Sequence, residues 1–298
     1  MSQSTELNKL NNMEENLLLA KTFLILGGML ILTTIASRIN KAYETSTEAF
    51  ITIGGSFGMM FLIIFNSESY PLNLVLVGIF SLFIGWSLGP TIAHIGEKFK
   101  FRKYLKDKKV LSKTITTKKT TFTDRLLGQE DEKKTVYYYK SEPEKTFDRI
   151  SDEFRELKLD FEKNILPHDR YNQEWQNIVF QALIATTLAV ILTALINMLI
   201  DYDFGFLGPI LFICLIALII MELLNAFYFK SKRRRLLQAY AGVIIFTLYL
   251  LYDFNRLEKA IASGDTSWST AIEIAVNLYL DIINLFLDLL EILATSSE

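Results

Sequence analysis

Residues 238–293 read QAYAGVIIFTLYLLYDFNRLEKAIASGDTSWSTAIEIAVNLYLDIINLFLDLLEIL, two apolar segments joined by a short polar hairpin. Each segment carries an aspartate inside its apolar run, Asp253 in the first and Asp281 in the second. A carboxylate at hydrocarbon depth in a membrane is costly, and such residues mark functional sites. The other segments are therefore expected to form a bundle around these two aspartates. In the second segment, at about 100° per residue, Glu273, Asn277, Asp281, Asn284, Asp288 and Glu291 fall within an arc of roughly 80°, and the rest of the surface is dominated by Ile, Leu, Val, Phe and Ala. Asn277, Asn284 and Asp288 thereby become candidate pore-lining residues beside the aspartate pair. Three readings of this seam stay open: it faces a water-accessible interior, it glues helices together, or it belongs to a helix lying on the membrane surface. A surface helix usually carries Lys and Arg on its polar face, whereas this face is acidic or amide throughout, which favours the interior seam.

The chain has 298 residues, 51% of them hydrophobic, and a mean hydropathy of +0.27. The apolar residues come in blocks, several longer than the roughly 18 residues that a spanning helix needs. A net charge of −2 gives no concentrated basic face for nucleic acid. The single Cys214 sits in an apolar run and reads as a packing residue, with no disulfide framework or thiolate metal site. Two histidines, His94 and His168, are too few for a His-based metal centre. No redox cofactor, nucleotide site or zinc site is expected.

Taken in order, residues 1–16 are polar and read as a tail, without the positive start of a cleavable signal. Spanning candidates follow at Leu17 to Ile39, Ala49 to Phe65 and Pro71 to Gly96, making residues 17–98 a first membrane block. Gly54, Gly55 and Gly58 suit close helix approach, Lys21 can snorkel to the interface, and His94 reads as interfacial. Pro90 removes a backbone hydrogen bond, so its freed carbonyl needs protein or water. Residues 99–175 form a charged soluble insert, predicted as one helix plus a hairpin, with Val136–Tyr139 as a strand and Phe154, Leu157, Phe161 and Ile165 at helical spacing. Its basic start, Phe101 to Lys119, suits anionic headgroups. Residues 176–298 hold the remaining segments: Ile178 to Ile200, Phe206 to Phe227, Leu236 to Phe254 and the Asp281 segment. The prediction is an all-α polytopic bundle of seven transmembrane segments with the insert between segments three and four. Arg38, Lys41, the start of the insert and the Lys230–Arg235 loop fall on one side, which the positive-inside rule makes cytoplasmic with the N-terminus outside.

Several motifs carry a family likeness. Tyr252-Asp253, Gly264-Asp265, the run Leu278-Tyr279-Leu280-Asp281-Ile282-Ile283-Asn284-Leu285-Phe286, and Leu88-Gly89-Pro90 together resemble the signature of the Bax inhibitor family. The likeness covers nearly the whole chain outside the insert. It implies a pH-sensitive Ca²⁺ leak channel, with Asp253 and Asp281 in the positions of the gating pair. It also implies an N-terminus inside, against the charge argument. Bacterial relatives are expected to latch the pair with a basic residue in the second segment, yet ITIGGSFGMMFLIIF holds neither Lys nor Arg. Either another group serves as latch, with Arg256 the nearest basic candidate in sequence, or closure depends on the protonated pair alone.

The residues support the same chemistry by their own logic. Two carboxylates at close range should titrate as one pair, since repulsion and desolvation both oppose double ionisation. Loss of the shared proton would attract a hard cation such as Ca²⁺ to Asp253 and Asp281 and bias the helices between two packings. The expected partners are the lipid membrane, Ca²⁺ and protons, with a possible protein partner at the insert. A membrane interaction protein that restrains a protease or a cell-death factor is the main alternative. An intramembrane hydrolase built on paired aspartates lacks a glycine-rich active-site loop. The expected location is a prokaryotic plasma membrane, with the ER membrane as the alternative.

Overall fold

The computed structural model describes residues 2–117, 132–168, 170–229 and 231–296. Eight α-helices and three strands are described: α1 Ser2–Ile39, α2 Ser46–Phe65, α3 Leu72–Asp107, β1 Val110–Thr117, β2 Glu132–Tyr139, β3 Thr146–Phe147, α4 Asp152–Asp160, α5 Asn172–Leu199, α6 Leu207–Leu224, α7 Lys232–Ala262 and α8 Trp268–Ser296. The contacts divide the chain into two units, residues 1–95 with 178–297, and residues 96–177.

The first unit is an all-α membrane bundle. Leu17–Ile39, Ser46–Phe65, Leu72–Asp107, Asn172–Leu199, Phe204–Phe229 and Lys232–Ala262 are long and apolar enough to cross a membrane. Their outward surfaces are apolar: Phe50 and Phe65 of α2 are each 80% exposed, an arrangement that water would penalise and lipid does not. Seven spans were expected, and among the described residues six helices meet this criterion. The seventh segment is the helix α8, which carries four carboxylates, Glu273, Asp281, Asp288 and Glu291. It is the core of the unit. Leu278, Tyr279, Leu285 and Leu290 are fully buried, and α7 and α1 pack against it.

The expected tail at residues 1–16 is instead the start of α1. No Gly or Pro interrupts residues 2–26, and Leu, Lys, Glu and Met there are good helix formers. Close helix approach also falls on different glycines from those expected. A Cβ at Gly54 or Gly58 would meet open space, and only Gly55 of the three faces a neighbour, Phe83. The tight crossing lies between α3 and α1, where a Cβ at Gly85 or Gly89 would collide with the backbone carbonyls of Thr33 or Asn40. Helix α3 runs unbroken through Pro90. The carbonyl that Pro90 leaves free is that of Trp86, and it accepts the Asn40 side-chain amide at 2.9 Å. The loss is thereby made good inside the protein.

The second unit is α+β. Its sheet is antiparallel in the order β1-β2-β3, with Val110 opposite Tyr139 and Tyr137 opposite Phe147. The predicted hairpin is thus a three-stranded sheet, and β1 lies in the basic stretch assigned to headgroups. Tyr104, Tyr137, Phe147, Phe154, Leu157 and Phe161 form its core. The helical spacing from Phe154 onward is α4, extended by a π-helical turn over Phe161–Ile165. This unit takes in residues 96–177, slightly more than the 99–175 expected.

Candidate functional site

Helices α7 and α8 form an antiparallel hairpin. Gly264 adopts φ +74° in the turn, a conformation that favours glycine. The pairing brings Asp253 and Asp281 together, at 2% and 7% exposure. Their carboxyl groups lie within hydrogen-bonding reach of each other, close enough to share a proton. Asp281 Oδ2 has no hydrogen-bond partner although it is fully enclosed, and an unpaired buried oxygen of this kind costs about 1–3 kcal/mol.

Arg256 lies one turn beyond Asp253. Its Nη1 is 3.8 Å from Asp253 Oδ1, and its Nη2 donates to Glu273 Oε1 of α8 at 2.6 Å. The guanidinium also lies 5.8 Å from the centre of the Tyr252 ring. The arginine thus stands between two carboxylates, one buried and one exposed. Tyr249 lies close to both aspartates, and to Cys214 and Tyr252.

Two amide contacts fix α7 around Asp253. Asn197 of α5 donates to the Leu251 carbonyl at 3.0 Å, and Asn255 donates to the Tyr202 carbonyl at 3.4 Å. On α8, Tyr279 and Thr33 of α1 share a hydrogen bond at 2.6 Å, and Thr33 donates to the Ser81 carbonyl of α3 at 3.0 Å. At the hairpin, Lys21 donates to the Thr266 carbonyl at 2.5 Å and lies 4.8 Å from the Trp268 ring centre. Lys21 thus has a packing role that its position near the start of the first span did not suggest. Two loop carboxylates flank this end. The Thr270 hydroxyl holds Asp265 below the ordinary carboxylate range, and the Lys259 ammonium does the same for Asp203.

The seam residues are not one cluster. Asn277 and Asn284 are half-buried on either side of Asp281. Asp288 lies seven residues from Asp281, about 10 Å along the helix, with its carboxylate against Gly242 of α7. The structure joins Asp253, Asp281 and Arg256 and leaves Asp288 apart. Sequence reading placed Glu273 on the seam without finding its partner, because the register of α7 on α8 decides which groups meet. The same holds for Arg235, whose Nε is 2.8 Å from Glu291 Oε1. Among the described residues, no group of three His, Cys, Asp or Glu side chains converges to hold a metal ion. Asp253 and Asp281 are two carboxylates toward the six to eight oxygens that Ca²⁺ takes.

Comparison with known proteins gives a consistent picture. A family model described as inhibitor of apoptosis-promoting Bax1 matches residues 15–105 and 170–298. Protein LIFEGUARD 4 of Arabidopsis thaliana is 36% identical over 118 residues, 39% of this chain and 46% of that protein. An uncharacterised protein of Campylobacter jejuni is 38% identical over 116 residues, 39% of this chain and 47% of its own length. A Golgi anti-apoptotic protein of Vaccinia virus is 33% identical over 122 residues, 41% of this chain and 49% of that protein. The matched region thus spans just under half the length of these relatives.

Proposed function

We propose that this chain, which belongs to the Bax inhibitor family, is a passive cation leak whose opening follows the protonation of Asp253 and Asp281. The observation that carries the reading is two almost fully buried carboxyl groups in contact on neighbouring helices, one with an oxygen that nothing satisfies. A hydrogen bond between two carboxyls contains one proton. While it is present, α7 and α8 are held together. Its loss leaves two like charges in contact, which repel each other and draw in a hard cation. Ca²⁺ is the proposed permeant ion, passing through rather than residing.

Arg256 supplies the restraint that the second segment lacks. Poised between Asp253 and Glu273, it can follow whichever carboxylate carries the charge. The proposed location is a prokaryotic plasma membrane, for which the Campylobacter relative is support. The test is Ca²⁺ entry into dye-loaded proteoliposomes from pH 5.5 to 8, with Asp253→Asn and Asp281→Asn as comparisons. A flux that varies with pH in wild type and is constant in either variant supports the pair as gate.

A second reading has one observation in its favour. The second unit includes residues 106–169, outside the family match, and β1 is an edge strand with Leu111 and Ile115 exposed. Such an edge can pair with another chain. In that case the protein restrains a membrane partner, in the manner suggested by the name of the Vaccinia relative, and Asp253→Asn leaves its function intact.

A further inference from the structure

The seam between α7 and α8 is bounded by an arginine–glutamate pair at each end. Near the hairpin the pair is Arg256 with Glu273, and near the start of α7 it is Arg235 with Glu291. Arg235 and Arg256 are 21 residues apart on α7, and Glu273 and Glu291 are 18 apart on α8. At 1.5 Å per residue these separations are about 31 Å and 27 Å, close to the roughly 30 Å of a bilayer's hydrocarbon core. Eighteen residues also complete five helical turns, so the two glutamates stand in line on the face that carries Asp281.

The Arg235 end has a feature of its own. The Glu291 side chain is 12% exposed, against 60% for Glu273, while the Arg235 side chain is 38% exposed, so the carboxylate of this pair lies within the bundle and its arginine at the rim. One turn inward, the Asp288 carboxylate packs against Gly242, a place where any Cβ would collide with it. Glu222 of α6 and Glu291 are the carboxylates nearest Asp288. Arg235 thus pairs with Glu291 at one end of the seam, where Asp288 and Glu222 lie nearby, while at the other Arg256 faces Asp253 and Glu273.

We propose that Arg235–Glu291 is a second closure of the seam, so that Asp253, Asp281 and Asp288 lie in a compartment between two ionic clamps. A cation crosses only when both clamps have parted, and Asp288 is the carboxylate that it meets first beyond Arg235. This rests on the leak reading for its purpose, and its geometry stands on the two pairs alone.

The test reads access to the seam rather than flux, so its result does not depend on whether the protein conducts Ca²⁺. In a Cys214→Ala background, the Asn284→Cys reporter thiol is labelled with a membrane-impermeant cationic methanethiosulfonate from either face of sealed proteoliposomes. Glu291→Gln is expected to raise the labelling rate at least tenfold from the face bearing the first turn of α7, Lys232–Arg235, with no change from the hairpin face. Arg256→Gln is expected to do the reverse. The charge-swapped double variant, Arg235→Glu with Glu291→Arg, is expected to restore slow labelling. The Asn277→Cys reporter is read in the same way if the first does not fold. An unchanged rate in Glu291→Gln overturns the proposal, as does an equal rise from both faces or a charge swap that restores nothing.

Discussion

Asp281 and Asp160 are the same side chain in opposite circumstances. Asp160, in the second unit, accepts the Tyr104 hydroxyl at 2.5 Å and the Asn164 amide at 2.8 Å, and Lys108 Nζ lies 3.3 Å away. Those contacts, the Tyr104 hydroxyl first, hold its carboxyl at about 2. Asp281 lies in an apolar helix core beside a second aspartate, with one oxygen unsatisfied. A satisfied carboxylate serves the fold. Asp281 is the carboxylate that the proposed gate puts to use, and under that proposal the difference separates a structural unit from a working one.

The contrast predicts mutations of opposite sign. Replacing Asp253 and Asp281 together by Leu is expected to stabilise the bundle by about 1–3 kcal/mol, since it removes the buried carboxyl pair with its unmet hydrogen bond and strands neither partner. Thermal unfolding in detergent micelles measures this, and a loss of stability would break the comparison. Tyr279→Phe, which removes a satisfied contact to Thr33 in the same helix, is expected to cost about 1 kcal/mol in that assay and to leave any pH response of flux in place.

The smallest effect is at Asp160. Its carboxyl lies below the ordinary value of about 3.9, so the stability it contributes is present above that value and is lost as pH falls toward 2. Hydrogen exchange of β2 and β3 in the full-length protein is expected to lose protection across that window in wild type. Asp160→Asn is expected to show weaker protection at pH 6 and a flatter pH dependence. Identical profiles would show that the network around Asp160 contributes nothing.

Much of this was legible in the sequence because membranes impose simple rules. Apolar runs of sufficient length gave the span candidates, and the 100° projection gathered Glu273, Asp281 and Asp288 on one face before any partner was known. What stayed hidden depends on register and neighbours. Nothing local shows that Gly85 and Gly89, rather than Gly54 and Gly58, meet another backbone, since that needs α3 placed on α1. The pairings of Arg256 with Glu273 and of Arg235 with Glu291 likewise require α7 aligned on α8. Strand β1 was obscured because the basic stretch that contains it read as a headgroup contact, and alternation is weak where both faces carry polar residues. The first turns of α1 were read as a tail from polarity alone, although helix propensity there was adequate.

The central claim is that protonation of the Asp253–Asp281 pair governs cation passage, and the most direct measurement is Ca²⁺ flux through reconstituted protein as a function of pH. The account predicts a flux that is low while the pair holds its proton and rises as pH is raised, with Asp281→Asn rendering it independent of pH. A flux no greater than that of empty liposomes at every pH, or a pH dependence that survives Asp281→Asn unchanged, would contradict it.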